Sequence, residues 1–249
     1  MSRLWRGDLR VGLCPDRLVV ARRAHRWSGR VSRAILPVEN DPIATLKQQI
    51  ASAGATVLLS SHFVRYCVLP WSEALTSEED WDAFAQHAFE STYGTACAAG
   101  WRIHLSDAGP GRARMASAVD CAFFEALSSV PEVVSIQPYL MSAFNAHRRA
   151  IAGKPAWLVL QEPARLTITL VADGEWRLVR TRQITAGWQD ELAAMLDRES
   201  ALSNSAPCER VLWHGEAAPL ARAGRYEIVD LTLPHGADSS LRQHAMTSR

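Results

Sequence analysis

Arg10-Val-Gly-Leu-Cys-Pro-Asp-Arg-Leu-Val-Val-Ala21 and Leu158-Val-Leu-Gln-Glu-Pro-Ala-Arg-Leu-Thr-Ile-Thr169 set the architecture of this chain. Each is a β-prone run halted by a proline and resumed at an arginine–leucine pair, the pattern of a strand, a tight turn and a returning strand. Pro163 stands 148 residues beyond Pro15, and the same spacing pairs Arg17 with Arg165, Leu18 with Leu166 and Ala24 with Ala172. A third strand follows in each case, after a polar turn at Ser28-Gly29 in the first copy and after Asp173-Gly174 in the second. A three-strand meander that recurs within 249 residues predicts two related lobes of α/β type.

Outward from the first meander, Asp41-Pro42 places an N-cap and a first-turn proline before Ile43, Leu46 and Ile50, which predicts a short amphipathic helix. Residues 56–60 and 63–69 read as strands, the second ended by Pro70. Residues 77–93 read as the longest helix, with Thr76 and Glu79 as a capping box and Trp81, Phe84, Ala85, Ala88 and Phe89 on one stripe. Strands are expected at 101–105, 114–117 and 133–136, and helices at 119–129 and 139–151, the last opened by Pro138. Gly153-Lys-Pro155 marks the boundary between a first lobe, 1–152, and a smaller second lobe, 153–234. In that lobe a helix is expected at 188–201, a strand at 210–213, a short helix at 217–223 and a strand at 226–231, followed by a frayed polar tail at 235–249.

Composition narrows the function classes. Twenty-seven basic residues against 26 acidic ones leave a formal net charge of +1, so no overall field draws the chain to nucleic acid or to an anionic membrane. Its apolar stretches fall short of the ~20 residues a membrane span needs, and residues 1–8 lack the apolar core of a signal peptide. A cytoplasmic location is expected. The five cysteines are widely spaced without a C-x-x-C pair, and the eight histidines lack H-x-x-x-H spacing, so neither a disulfide framework nor a metal site is predicted.

Three further segments carry a likeness to a known family. They are Val57-Leu-Leu-Ser-Ser-His-Phe-Val-Arg-Tyr66 with Leu69-Pro-Trp71, Ala116-Ser-Ala-Val-Asp120, and Val134-Ser-Ile-Gln-Pro-Tyr-Leu-Met-Ser-Ala-Phe-Asn145. With the paired meanders, they resemble the actin-like proteins of type IV pilus and type II secretion platforms, the PilM and GspL cytoplasmic-domain family. The resemblance implies a two-lobed actin-like ATPase (ribonuclease H-like) fold, with the helix at 139–151 joining the lobes. It also implies a cytoplasmic scaffold, peripheral at the inner membrane, that docks the cytoplasmic tail of a PilN-like inner-membrane protein. A hexameric secretion or pilus ATPase is implied as a further partner.

The phosphate turns of such a fold need glycine for close backbone approach and an aspartate to organise Mg²⁺. Here the first turn reads Cys14-Pro15-Asp16 and the second Glu162-Pro163, with proline removing a donor from each. The adenosine turn keeps one glycine of a pair, at His214-Gly215, and Glu216 follows it. No catalytic residue and no cofactor is therefore expected. An active ATPase of this fold and an unrelated α/β enzyme are the alternatives. Aromatic side chains dominate binding surfaces, so Phe63, Tyr66, Trp71, Trp81 and Phe84 are the candidate partner-binding residues. The other reading of the same residues is lobe core.

Overall fold

A computed structural model describes residues 9–23, 31–50, 54–203, 207–232 and 244–247; Ala24 and the expected Ser28-Gly29 turn lie outside them. The first meander is Leu9–Leu13 (β1), Arg17–Arg23 (β2) and Val31–Pro37 (β3). Helix Pro42–Ile50 (α1) then leads to Ala55–Leu59 (β4), which lies parallel to β1. The chain leaves this sheet through Val64–Leu69 (β5), Glu78–Tyr93 (α2), Thr95–Ala98 (α3), Trp101–Leu105 (β6), Arg114–Asp120 (β7) and Cys121–Ser128 (α4). It returns as Val133–Pro138 (β8), parallel to β4, and crosses over through Tyr139–Ala146 (α5) and Arg148–Ile151 (α6).

The second meander is Ala156–Glu162 (β9), Arg165–Ala172 (β10) and Glu175–Gln183 (β11), followed by Trp188–Ser203 (α7). Arg210–Gly215 (β12) is parallel to β9, and Tyr226–Asp230 (β14) is parallel to β12, with Arg222–Ala223 (β13) folded back on its edge. Strand order is β3-β2-β1-β4-β8 in one sheet and β11-β10-β9-β12-β14-β13 in the other. Apart from β13, the two sheets have the same order. The 148-residue spacing holds in the ladder too, since Leu13 sits opposite Leu18 and Gln161 opposite Leu166.

The lobes differ in what lies between the last two parallel strands. In the first, that segment builds a small sheet, β5-β7-β6, covered by α2. Its Leu69, Ala116 and Ala118 receive Trp81, Ala85 and Phe89 from the helix stripe. In the second lobe the same interval holds only the β13 hairpin.

Several local expectations shift. Asp80, not Glu79, closes the capping box on Ser77, because its carboxylate also takes the N–H and hydroxyl of Thr76. Strand β7 runs to Asp120, whose side chain accepts from the Phe123 N–H and starts α4 later than expected. The helix at 139–151 breaks at His147, where φ is −107°. Residues 217–223 form no helix; Pro219 interrupts the run, and Gly224, at φ 56°, allows the tight β13–β14 turn.

The tail also departs from the expected frayed end. Among its described residues, Ala245 and Met246 are buried, and the Met246 sulfur lies 3.7 Å from the Cys14 thiol. A Cβ on Gly12 would come within 2.7 Å of that sulfur, so this glycine admits the methionine to the face of β1. Met246 belongs to one apolar core with Leu13, Tyr139 and Leu140 of the first lobe and the crossover helix, and Leu158 and Leu212 of the second lobe. Phe144 on α5 adds an aromatic contact to Trp176 on β11, with ring centroids 4.2 Å apart.

Candidate functional site

Each proline turn reaches the other lobe, Arg17 of the first meeting Glu216 and Glu162 of the second meeting Ser61. In the first, the Cys14 N–H donates to the Arg17 carbonyl at 3.0 Å, which closes the turn on itself. The second is tighter, because Glu162 and Arg165 are already ladder partners and only Pro163 and Ala164 lie between them. Ala164 adopts φ 55°, a left-handed conformation that glycine reaches more easily.

The lobes clasp at these turns. Glu162 is 3% exposed, and its two carboxylate oxygens accept the backbone N–H of Ser61 at 3.0 and 3.3 Å. The Pro163 carbonyl accepts from His62 Nε2 at 2.9 Å, which places the ring proton on that nitrogen and leaves Nδ1 to accept from Arg165 at 3.3 Å. Thr167 donates its hydroxyl to Ser61 Oγ at 3.1 Å. Arg17, from the first turn, pairs through Nη2 with both oxygens of Glu216, at 2.7 and 2.8 Å. Burial pushes the Glu216 carboxyl up to about 7, against the pull of Arg17. Burial, and then the charge of Glu162, raises the Cys14 thiol and the Tyr66 and Tyr139 phenols, so all three stay protonated.

The His214-Gly215 turn likewise bonds within the protein. A Cβ on Gly215 would lie 2.6 Å from Gln161 Cβ and 2.9 Å from the Gln161 carbonyl, so close pairing of β12 with β9 requires the glycine. The Gly215 N–H donates to Thr232 Oγ1 and the Ala217 N–H to Gln161 Oε1, at 2.9 and 2.7 Å. His214, 1% exposed, donates Nε2–H to the Ala245 carbonyl at 3.0 Å and accepts from His147 Nε2 on Nδ1, also at 3.0 Å. Burial, and then His147, lowers His214 to about 4. This histidine relay, which ties the crossover, β12 and the tail, has no signature in the sequence, since its members are far apart in the chain.

The five aromatic candidates do not form one surface. Tyr66 and Trp81 are buried, and Phe63 stacks on Phe123 with centroids 4.7 Å apart. Trp81 and Phe84 belong to the core of the small sheet, where Arg114 lies over the indole. Trp71 is the exposed member, at 40%. A different concave surface lies on the first lobe, between the small sheet and β8. Two adjoining cavities of about 200 and 210 Å³ share His104, Ser117, Ile136 and Pro138, with Phe124 in one and Met141 and Asn145 in the other. Two of the segments that carry the family likeness, 116–120 and 134–145, line this groove together.

No family profile matches the chain, and no curated protein matches its sequence. Solved structures do match in three dimensions. A Bacteroides thetaiotaomicron protein of unknown function with an actin-like ATPase fold aligns over 100% of both chains, with TM-score 0.64 and 11% identity. The chain has the actin-like ATPase fold. The same fold relates it to the cytoplasmic domain of EpsL, an inner-membrane component of the Vibrio cholerae type II secretion system. That alignment covers 98% of this chain and 96% of that one, at TM-score 0.59 and 14% identity. A PilM–PilN type IV pilus biogenesis complex aligns over 86% of this chain and 82% of that one, at TM-score 0.57 and 12% identity. No helix among the described residues is long and apolar enough to cross a membrane.

Proposed function

We propose that this chain is a docking scaffold of an inner-membrane assembly platform of the type II secretion or type IV pilus kind, and that it binds protein segments instead of hydrolysing nucleotide. Residues 1–152 and 153–234 serve as its two lobes. The clasp at the proline turns carries the reading. Backbone donors of the kind that cradle a phosphate are taken by the protein's own acceptors: Ser61 by Glu162, Cys14 by Arg17, Gly215 by Thr232 and Ala217 by Gln161. A carboxylate therefore stands where an anion would otherwise be received. The likeness to the EpsL cytoplasmic domain and to PilM in complex with PilN supports a docking role for the rest of the molecule.

The partner in this reading is the cytoplasmic segment of an inner-membrane protein, received on the first lobe, and a hexameric motor ATPase is a second partner. The groove between β7 and β8 is the docking surface, because its apolar Phe124, Ile136, Pro138 and Met141 lie beside the polar His104, Ser117 and Asn145. The test is copurification of the full chain with the cytoplasmic segment of the membrane protein encoded beside it. Met141→Glu, which puts a charge into the groove, is expected to weaken capture by about tenfold or more. Undiminished capture by a folded Met141→Glu variant would move the site elsewhere, and loss confined to Trp71→Ala would assign it to the exposed tryptophan.

A further inference from the structure

A second groove lies at the joint between the lobes and plays no part in the reading above. It runs between the end of the crossover and the edge of the second sheet, with a volume of about 1080 Å³. One wall is formed by Arg149, Ala150 and the stretch to Lys154, the other by Arg210, Glu227 and Val229, with Arg222 and Arg225 at the hairpin. Five cationic side chains meet two carboxylates, Glu209 and Glu227, in a molecule whose formal net charge is only +1. The positive charge is therefore local.

The five cations are not equally committed. Arg210 donates to the Ala150 carbonyl at 2.9 Å and so fastens the two walls together, and it stands beside Glu227 in the β12–β14 register. Arg225 pairs with Asp197 at 2.8 Å. Arg222 makes one long contact, 3.5 Å, to the Arg225 carbonyl. Arg149 and Lys154 are exposed and make no hydrogen bond or ion pair with a described residue. Among these charges sits Val229, an apolar side chain of the second wall left 38% exposed.

We infer that this groove binds an acidic protein segment with an apolar residue set among its carboxylates. Concavity selects a chain that enters the groove over a flat lipid surface, which would meet only the rim. Arg149, Lys154 and Arg222 supply charge-assisted donors to carboxylates, arginine presenting a fork that matches a carboxylate in two-point geometry. Val229 gives the segment's apolar side chain a place to bury. Glu209 and Glu227 limit how many carboxylates the segment carries, which makes the pattern selective. Because Arg149 lies on the crossover and Lys154 just after it, while Arg222 and Val229 belong to the second sheet, a bound segment would bridge the joint between the lobes.

The experiment uses the full chain and a fluorescein-labelled ten-residue peptide of Asp and Glu with one central Leu, read by anisotropy at low and physiological salt. Saturable binding that weakens as salt rises is expected, because the contacts are exposed ion pairs. The double variant Arg149→Glu/Lys154→Glu is expected to lose about tenfold or more in affinity. Arg22→Glu/Arg33→Glu, which makes the same change of net charge on the first meander, is expected to bind as wild type. Equal losses in the two double variants would reduce the effect to overall charge and overturn the proposal. So would peptide binding no tighter than that of an all-Lys peptide, or binding to phosphatidylserine vesicles without binding to the peptide. Circular dichroism establishes that both double variants are folded.

Discussion

Replacing Glu162 with alanine removes the acceptor that joins the lobes at the second turn. In the native protein, the Ser61 N–H has both carboxylate oxygens within 3.3 Å, and Ser61 itself is 0% exposed. Truncation leaves that N–H buried without an acceptor and leaves a void where the carboxylate was. A lost bond to a charged acceptor and a small cavity together cost about 3 kcal/mol. For a chain of 249 residues, 1 kcal/mol corresponds to roughly 2–4 °C of melting temperature, so Glu162→Ala is expected to melt about 6–12 °C lower. Glu162→Gln retains one oxygen acceptor and should lose less. Hydrogen exchange localises the effect, with the Ser61 amide expected to exchange at least about tenfold faster in the alanine variant while amides of α2 are unchanged. A melting temperature within 1 °C of wild type, or an unchanged Ser61 amide, would refute the clasp.

Two other perturbations test neighbouring parts of the site. Gly215→Ala drives a methyl group into the Gln161 backbone, and overpacking between paired strands is expected to cost about 3 kcal/mol, whereas Gly109→Ala, in open space, should stay within about 0.5 kcal/mol by chemical denaturation. Acidification probes the histidine relay. His214 is lowered to about 4 and His147 is also lowered, so the unfolded chain takes up protons that the folded protein excludes. The contribution of His214 is therefore flat above about pH 7, falls below pH 6.5 and levels off beneath pH 4, a loss of about 3 kcal/mol, while Glu216, whose folded carboxyl is raised to about 7, contributes in the opposite sense over the same range. His214→Asn removes the histidine contribution alone, so the stability gap between variant and wild type should change by about 3 kcal/mol from pH 7 to pH 4, and a gap that stays constant would remove His214 as its source.

The elements legible in the sequence are those with short-range causes. Pro15 and Pro163 mark the turns that define both meanders, Asp41 begins α1 through its bond to the Ile43 N–H, and Asp173-Gly174 forms its hairpin with both residues at positive φ. Where a choice depended on distant residues, local pattern misled. The run at 217–223 looks helical through its alanines, yet Ala217 is tied to Gln161 on another strand. Ala245 and Met246 sit in a polar tail, but Gly12, Cys14 and His214 give them a buried seat. Aromatic content located the core of the small sheet, because Trp81 and Phe89 are buried there, and it did not separate core from surface. The first-lobe groove draws on β6, β7, β8 and α5, which come together only once the sheets are folded.

Thermal melting with and without Mg²⁺-ATP tests the central claim most directly. A ligand present at 100 times its dissociation constant stabilises a folded protein by about 2.7 kcal/mol, which for this length raises the melting temperature by roughly 5–10 °C. With the donors of the turns spent on Glu162, Arg17, Thr232 and Gln161, the account predicts no shift at millimolar Mg²⁺-ATP. A saturable rise of 5 °C or more would contradict it and return the molecule to the nucleotide-binding members of its fold.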